Sequence, residues 1–214
     1  MQKSSYTHLI WDFNGTLLDD VDACIRSANR LLADHALPPL PSREAYREQF
    51  GFPIIDYYRR LGFDFERISY EAIAPVWVEY YMEYSKNATL YQGIKETLAA
   101  AQRIGVSQWI LSATEQEMLL GQVRSLGILP YFAGVLGMDN IHAYSKEQIG
   151  LEWRRTHPDA RVLMVGDTDH DAAVAAAMGA DCVLLTAGHQ SRTRLEACRP
   201  RLVADSADEI LKLL

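Results

Sequence analysis

The chain lacks most of what marks a specialised class. Its only cysteines are Cys24, Cys182 and Cys198 among 214 residues. Three that scattered build neither a disulfide framework nor a zinc site, and Cys24 and Cys182 read as core packing. No apolar run approaches a bilayer span. The opening MQKSSYTHLIWDF has no secretory-signal pattern. Positive charge is short as well: 21 Lys+Arg against 28 Asp+Glu give −7. That excludes the dense basic face a nucleic-acid binder needs. It leaves room for a small anionic substrate, since a bound cation or one lysine can reverse the sign of a pocket. No internal repeat or low-complexity linker appears. The expectation is a cytoplasmic globular protein that binds neither membrane nor nucleic acid; its oligomeric state is not legible.

What is present has two textures. Residues 93–186 alternate helical patterns with short apolar runs. Gly93–Ile104, Glu115–Ser125, Lys146–Arg155 and Asp171–Met178 have helical spacing. Gln108–Ser112, Val135–Leu136, Arg161–Gly166 and Asp181–Thr186 read as strands. Such alternation predicts a parallel sheet covered by helices, with His8–Phe13 as its first strand. Between Asp19 and about Ala88 the pattern is helical throughout. Val21–His35 is one helix, stopped by Pro38, Pro39 and Pro41, and the longest spans about Tyr70–Lys86. Residues 46–84 hold 12 of the 21 aromatics, which fits large side chains filling a small core. An insert leaving just after the first strand would overhang the carboxyl ends of the sheet, where open α/β folds bind ligands. Ala204–Leu214 reads as a closing helix.

Polar residues recur at those strand ends: Asp12 with Asn14, Ser112, Lys146 in AYSKEQ, and Asp167 with Asp171 in GDTDHD. One such residue is ordinarily a turn or a cap. Two acidic strand ends and one of only five lysines (Lys3, Lys86, Lys95, Lys146, Lys212) are harder to dismiss. If they converge, Asp12, Asp167 and Asp171 sum to −3. Lys146 and one hard divalent ion such as Mg²⁺ bring the total to zero. A phosphate group suits that site, and Gly15 and Thr16 let backbone approach it closely.

DFNGTLLD, the Ser112 strand end, Lys146 and GDTDHD resemble, in order and spacing, the four motifs of the haloacid dehalogenase superfamily. The branch most similar is phosphoglycolate phosphatase-like, with an alpha-helical cap. The resemblance implies an α/β, Rossmann-like parallel sheet core (residues 1–18 and 89–214) with an inserted all-helical cap domain (19–88). It implies a Mg²⁺-dependent phosphatase acting on a small phosphorylated metabolite. Asp12 would be the nucleophile. Its side chain, the Asn14 carbonyl and Asp167 would hold Mg²⁺, with Asp171 as ligand or neighbour. Ser112 and Lys146 would bind the phosphoryl group, alongside Gly15, Thr16 and Ala113.

The departure is Asn14, where the phosphatases usually carry an aspartate that protonates the leaving oxygen and activates water. An amide can donate a hydrogen bond to that oxygen but cannot transfer the proton, a loss of about 10²–10⁴-fold. A slow or specialised phosphatase is the reading favoured, with Asp19, Asp20 or a substrate group compensating. The alternative is a phosphate-ester-binding regulatory protein with weak turnover. Phosphonate hydrolysis would need a cap lysine, and none lies between Asp19 and Ser85. Dehalogenation leaves Asp167 and Asp171 without a purpose. The stretch Phe50–Pro53 could be a specificity loop facing Asp12. Arg43, Arg47, Arg59 and Arg60 read as a solvated face, or as partners for a second anionic group. His170 reads as a helix-start residue. His189, in TAGHQS, carries no role in this pattern.

Overall fold

A computed structural model describes residues 4–138 and 145–214. Ala143 and Tyr144 of the lysine motif lie outside the described residues. The elements in chain order begin with β1 (His8–Trp11), β2 (Leu18–Asp19), α1 (Val21–Asp34), α2 (Arg43–Gln49), α3 (Ile54–Arg60) and α4 (Tyr70–Tyr84). Next come β3 (Thr89–Leu90), α5 (Ile94–Ile104), β4 (Ser107–Glu115), α6 (Gln116–Ser125) and β5 (Gly134–Met138). Then come α7 (Lys146–Thr156), β6 (Val162–Gly166), α8 (Asp169–Ala177), β7 (Asp181–Leu185), α9 (Arg192–Ala197) and β8 (Leu202–Ala204), before a final 3₁₀ helix.

Six strands form one sheet in the order β5-β4-β1-β6-β7-β8, and every pairing in it is parallel. Both faces are covered, so the strands are apolar on both sides. Leu9, Trp11 and Phe13 pack into one hydrophobic layer with Leu98, Ile110 and Val165. Ile10, between them, packs on the other side with Leu111, Met164 and Trp153. This period-two alternation is what β geometry imposes. The register aligns the carboxyl ends of the three central strands: Trp11 lies opposite both Ile110 and Val165. Asp12 follows β1 at once, Asp167 follows β6 at once, and Ser112 lies in β4 where its pairing with β5 becomes irregular, at the same edge. Strand order reverses direction at β1, so this edge is the crevice at a topological switch point.

Helices α1–α4 have a core of their own, including Leu31, Leu32, Tyr46, Tyr58, Ile73 and Tyr81. Most of the segment's aromatics pack there. The chain enters this helical unit through β2 and leaves through β3, which pair antiparallel, Leu18 with Leu90 and Asp19 with Thr89. Two-residue strands carry no periodic signal, which is why the sequence shows none. Two other elements differ from expectation. β4 runs on through Thr114 and Glu115, with an irregularity between Leu111 and Glu115. The expected closing helix is instead a strand residue, Ala204, followed by a 3₁₀ helix over Ala207–Lys212. Pairing of Leu202–Ala204 with β7 decides that, a long-range contact invisible to local spacing. Among the described residues no helix is long and apolar enough to cross a membrane.

Candidate active site

The segment after β1 delivers Asp12, that after β6 delivers Asp167 and, in the first turn of α8, Asp171, and the start of α7 delivers Lys146. Asp12 is held at its backbone by the Val165 carbonyl, 2.8 Å away. Lys146 opens α7 behind the Ser145 cap and is buried, an unfavourable place for a cation at a helix N-terminus. Two carboxylates compensate: Lys146 Nζ donates to Asp12 Oδ1 and to Asp171 Oδ1, each at 2.5 Å. Asp171 also closes a capping box with Thr168. Its Oδ2 accepts from the Asp167 N–H at 3.1 Å, the Thr168 N–H at 3.0 Å and the Thr168 hydroxyl at 2.7 Å. Asp167, fully buried, accepts from Thr16 Oγ1 at 2.9 Å and from the His189 N–H at 2.6 Å. Carboxylate oxygens of Asp12, Asp167 and Asp171 lie within 4.8 Å of one another.

Three buried carboxylates face one ammonium. Burial, then the charges of Asp171 and Asp167 working against Lys146, raises the Asp12 pKa to about 8. Burial also lifts Asp167, to about 6. Burial pushes Asp171 the same way, but the Lys146 charge outweighs it and holds Asp171 low. A carboxylate set that close is short of positive charge, and its oxygens are the donors a hard divalent cation takes. The residues therefore fit Mg²⁺.

Asn14 sits in a second network. Its Nδ2 donates to Asp20 Oδ2 and to the Tyr81 hydroxyl, each at 2.8 Å. Its Oδ1 accepts from Thr114 Oγ1 at 2.8 Å. Thr114 in turn takes a 3.1 Å hydrogen bond from Ser112 Oγ. Both amide protons are thus committed away from any leaving oxygen, against the expectation that one would be offered to it. The amide cannot be turned over, because Oδ1 would then face the Asp20 carboxylate, acceptor against acceptor. Asp20 itself is 1% exposed and also accepts from the Gly15 N–H at 2.9 Å and the Tyr81 hydroxyl at 2.8 Å. His189 Nε2 lies 3.4 Å from Asp20 Oδ1, and its Nδ1 shares a 2.8 Å hydrogen bond with the Tyr46 hydroxyl. Burial would lower the His189 pKa, but the hydrogen bond and charge of Asp20 raise it to about 9. Asp20 is correspondingly held low, burial being outweighed by His189, Asn14 and Tyr81.

Asp20, His189, Thr114 and Tyr81 are the residues that sequence reasoning underused. His189 follows the end of β7, another strand ending at the same edge, and that position was the available signal. Asp20 was one of the candidate compensating acids; Asp19 beside it is exposed. Ala113 is exposed while Ser112 is buried. Gly15 and Gly188 close the cradle. Gly15 has φ +71°, and a Cβ there would come within 2.3 Å of the His189 ring; a Cβ on Gly188 would meet Asp167 Oδ2 at 2.1 Å.

The helical unit rests on the core beside this edge. Arg47 donates to the Gly188 carbonyl at 2.9 Å and the Ala187 carbonyl at 2.6 Å. Arg194 bonds the Phe50 carbonyl and pairs with Asp169 at 2.8 Å. Phe50 lies 5.0 Å from the His189 ring, and Phe52 stacks on His170 at 4.5 Å. Arg43 and Arg59 pair with Asp22 and Asp56, and Arg60 bonds the Gln49 carbonyl. All four arginines singled out in the sequence are engaged by the protein itself.

A family model described as haloacid dehalogenase-like hydrolase matches residues 9–185. A phosphoglycolate phosphatase of Pseudomonas putida is 25% identical over 95% of this chain and 78% of its own length. One from Vibrio parahaemolyticus is 24% identical over 100% of this chain and 98% of its own. A haloacid dehalogenase-like hydrolase of Streptococcus pneumoniae superposes with TM-score 0.84 at 21% identity, covering 97% of this chain and 98% of the other.

Proposed function

The chain belongs to the haloacid dehalogenase-like hydrolase family, and on that premise we propose that it is a Mg²⁺-dependent phosphatase working through an aspartyl-phosphate on Asp12. The observation that carries the reading is the meeting of Asp12, Asp167, Asp171, Lys146 and Ser112 at one sheet edge. The names of its relatives suggest a small phosphorylated metabolite of the phosphoglycolate kind, met in the cytoplasm. Residues 19–88 would serve as the cap that excludes water.

Mg²⁺ would be held by Asp12, the Asn14 carbonyl and Asp167, with Asp171 beside it, and would supply charge neutralisation to the phosphoryl oxygens. Lys146 takes one oxygen of Asp12 and orients the carboxylate. The other oxygen attacks phosphorus as the bond to the leaving oxygen breaks, and the leaving oxygen departs as an anion or takes its proton from solvent, since Asn14 has none to transfer. Ser112, Lys146 and the backbone at Gly15, Thr16 and Ala113 hold the phosphoryl oxygens. Water then attacks the phosphorus, the Asp12–phosphorus bond breaks, and phosphate leaves. Asn14 can hold that water through a lone pair of Oδ1 but cannot take its proton. Breakdown of the phosphoenzyme is therefore the slow step.

Stopped-flow release from an activated aryl phosphate with Mg²⁺ should show a burst followed by slow turnover, and Asp12→Asn should abolish the burst. Absence of both burst and Mg²⁺ dependence sinks the enzyme reading. One observation favours the second reading, a phosphate-ester-binding protein with little turnover: the side chain at position 14 has no proton to give. That reading predicts ester binding by calorimetry with no phosphoenzyme in the mass spectrum.

A further inference from the structure

Asn14 and Asp20 face each other, amide to carboxylate, with every polar atom of the two side chains used. Asp20 Oδ2 receives Asn14 Nδ2 and the Tyr81 hydroxyl, Asp20 Oδ1 receives the Gly15 N–H, Asn14 Nδ2 also reaches Tyr81, and Thr114 donates to Asn14 Oδ1. Asp20, Tyr81 and His189 are all more than nine-tenths buried, so water cannot substitute for a lost partner. Resting on the phosphatase reading above, we propose that Asp20 is a positioning residue that dictates the amide at position 14, and that the two form a reversible amide–carboxylate pair. Exchanging them would deliver an acid/base carboxylate to the phosphoryl site while keeping the hydrogen bonds among residues 14, 15, 20, 81 and 114.

The donor and acceptor balance makes the case. With Asn14→Asp alone, two carboxylates meet at what is now a 2.8 Å contact, where they repel or must take up a proton to share, and Tyr81 has one proton for two acceptors. With Asp20→Asn alone, one orientation points the new NH₂ at the NH₂ of Asn14. The other points it at the Gly15 N–H. Asn14→Asp therefore sets acceptor against acceptor, and Asp20→Asn sets donor against donor unless Asn14 turns over, which takes its Oδ1 away from the Thr114 hydroxyl; the second change also removes the counter-charge beside His189. With both changes, the new amide at position 20 donates to the new carboxylate at position 14 and to Tyr81. Tyr81 turns its proton to that carboxylate, and Gly15 and Thr114 donate as before. These five hydrogen bonds remain five, while His189 loses the carboxylate charge 3.4 Å from its Nε2. The net charge is unchanged, the carboxylate having moved across one hydrogen bond toward Thr114 and Ser112.

The test is a double-mutant cycle with two readouts. In thermal unfolding each single variant should lose about 4–8 °C, and the exchanged protein should regain most of it. Losses that simply add in the double variant overturn the pairing. In quenched-flow decay of the phosphoenzyme, Asn14→Asp alone should fall below wild type. The exchanged protein should exceed wild type by about 10²-fold or more, the worth of a general acid/base, with KM within a few-fold. If Asn14→Asp alone accelerates decay as much as the exchange does, Asp20 sets nothing and the proposal fails. If wild type forms no phosphoenzyme, the phosphatase reading fails instead, and the thermal cycle still decides whether Asp20 dictates residue 14.

Discussion

At the scale of single residues, Lys146 is where burial and charge conflict most sharply. It is 3% exposed and shared by two carboxylates. Lys146→Met would leave Asp12 and Asp171 buried with no cation, a loss of about 3 kcal/mol or more where both stay ionised. The sign with pH follows. In the parent, Asp171 is held below its ordinary 3.8, so its contribution is present above that value and lost as pH falls through the folded one. In the variant Asp171 joins Asp12, already raised in the parent, above its unfolded value, so stability drops more steeply as pH rises. The difference in Tm between parent and variant should be larger near pH 8 than near pH 5; an equal difference at both would mean the carboxylates are compensated elsewhere. Gly15→Ala has a simpler cause. Its left-handed φ and the 2.3 Å approach to His189 leave no room for a methyl, so both Tm and turnover should fall. The meeting of Asp12, Asp167 and Lys146 was legible because charged residues at strand ends and a lysine in so lysine-poor a chain are unusual. That of Asp20 and His189 was not: a buried pair across 169 positions has no local signature.

At the scale of elements, two arginines help hold the helical unit to the core. The loop after β7 accepts Arg47 through two carbonyls, and Arg194 reaches back to Phe50 and Asp169. Arg47→Ala should speed amide exchange in residues 46–53 and 187–190 while the sheet stays protected. Protection unchanged in both loops would show that apolar packing alone seats the unit. On the opposite edge of the sheet, the start of β1 places His8 against Trp153 and His157, with ring centroids 5.3 and 5.7 Å away. Burial, then the charges of His157 and Arg154, lowers the His8 pKa from 6.5. The unfolded chain takes up this proton first, so the stability involved is present above 6.5 and lost as pH falls through it. His8→Gln should flatten the dependence of Tm on pH between about 7 and 5; an unaltered slope would assign it to other groups. The long helices were readable from their period of 3.6 and the central strands as short apolar runs between them. β2, β3 and β8 were not, because two or three residues cannot display a period and only their partners make them strands.

At the scale of the whole molecule, the fold rests on apolar layers either side of the sheet, and the acidic cluster is superimposed on it. Chelation should leave the protein folded, whereas added Mg²⁺ should raise Tm by mass action in the parent and not in Asp167→Asn. A Tm gain that survives Asp167→Asn would place the cation elsewhere. The alternation of strand and helix, the order of the polar strand ends and the helical insertion after the first strand are written in the chain, because each depends on spacing over a few residues. So is the departure at Asn14, a single letter in a motif. What that letter does was decided only by the tertiary structure. Folding brings Tyr81 from a helix, Thr114 from a strand and Asp20 from the first turn of the insert around one amide. In a buried site each polar atom must find a partner, so the neighbours fix which way the amide points, and through it which hydrogen bonds the site can offer.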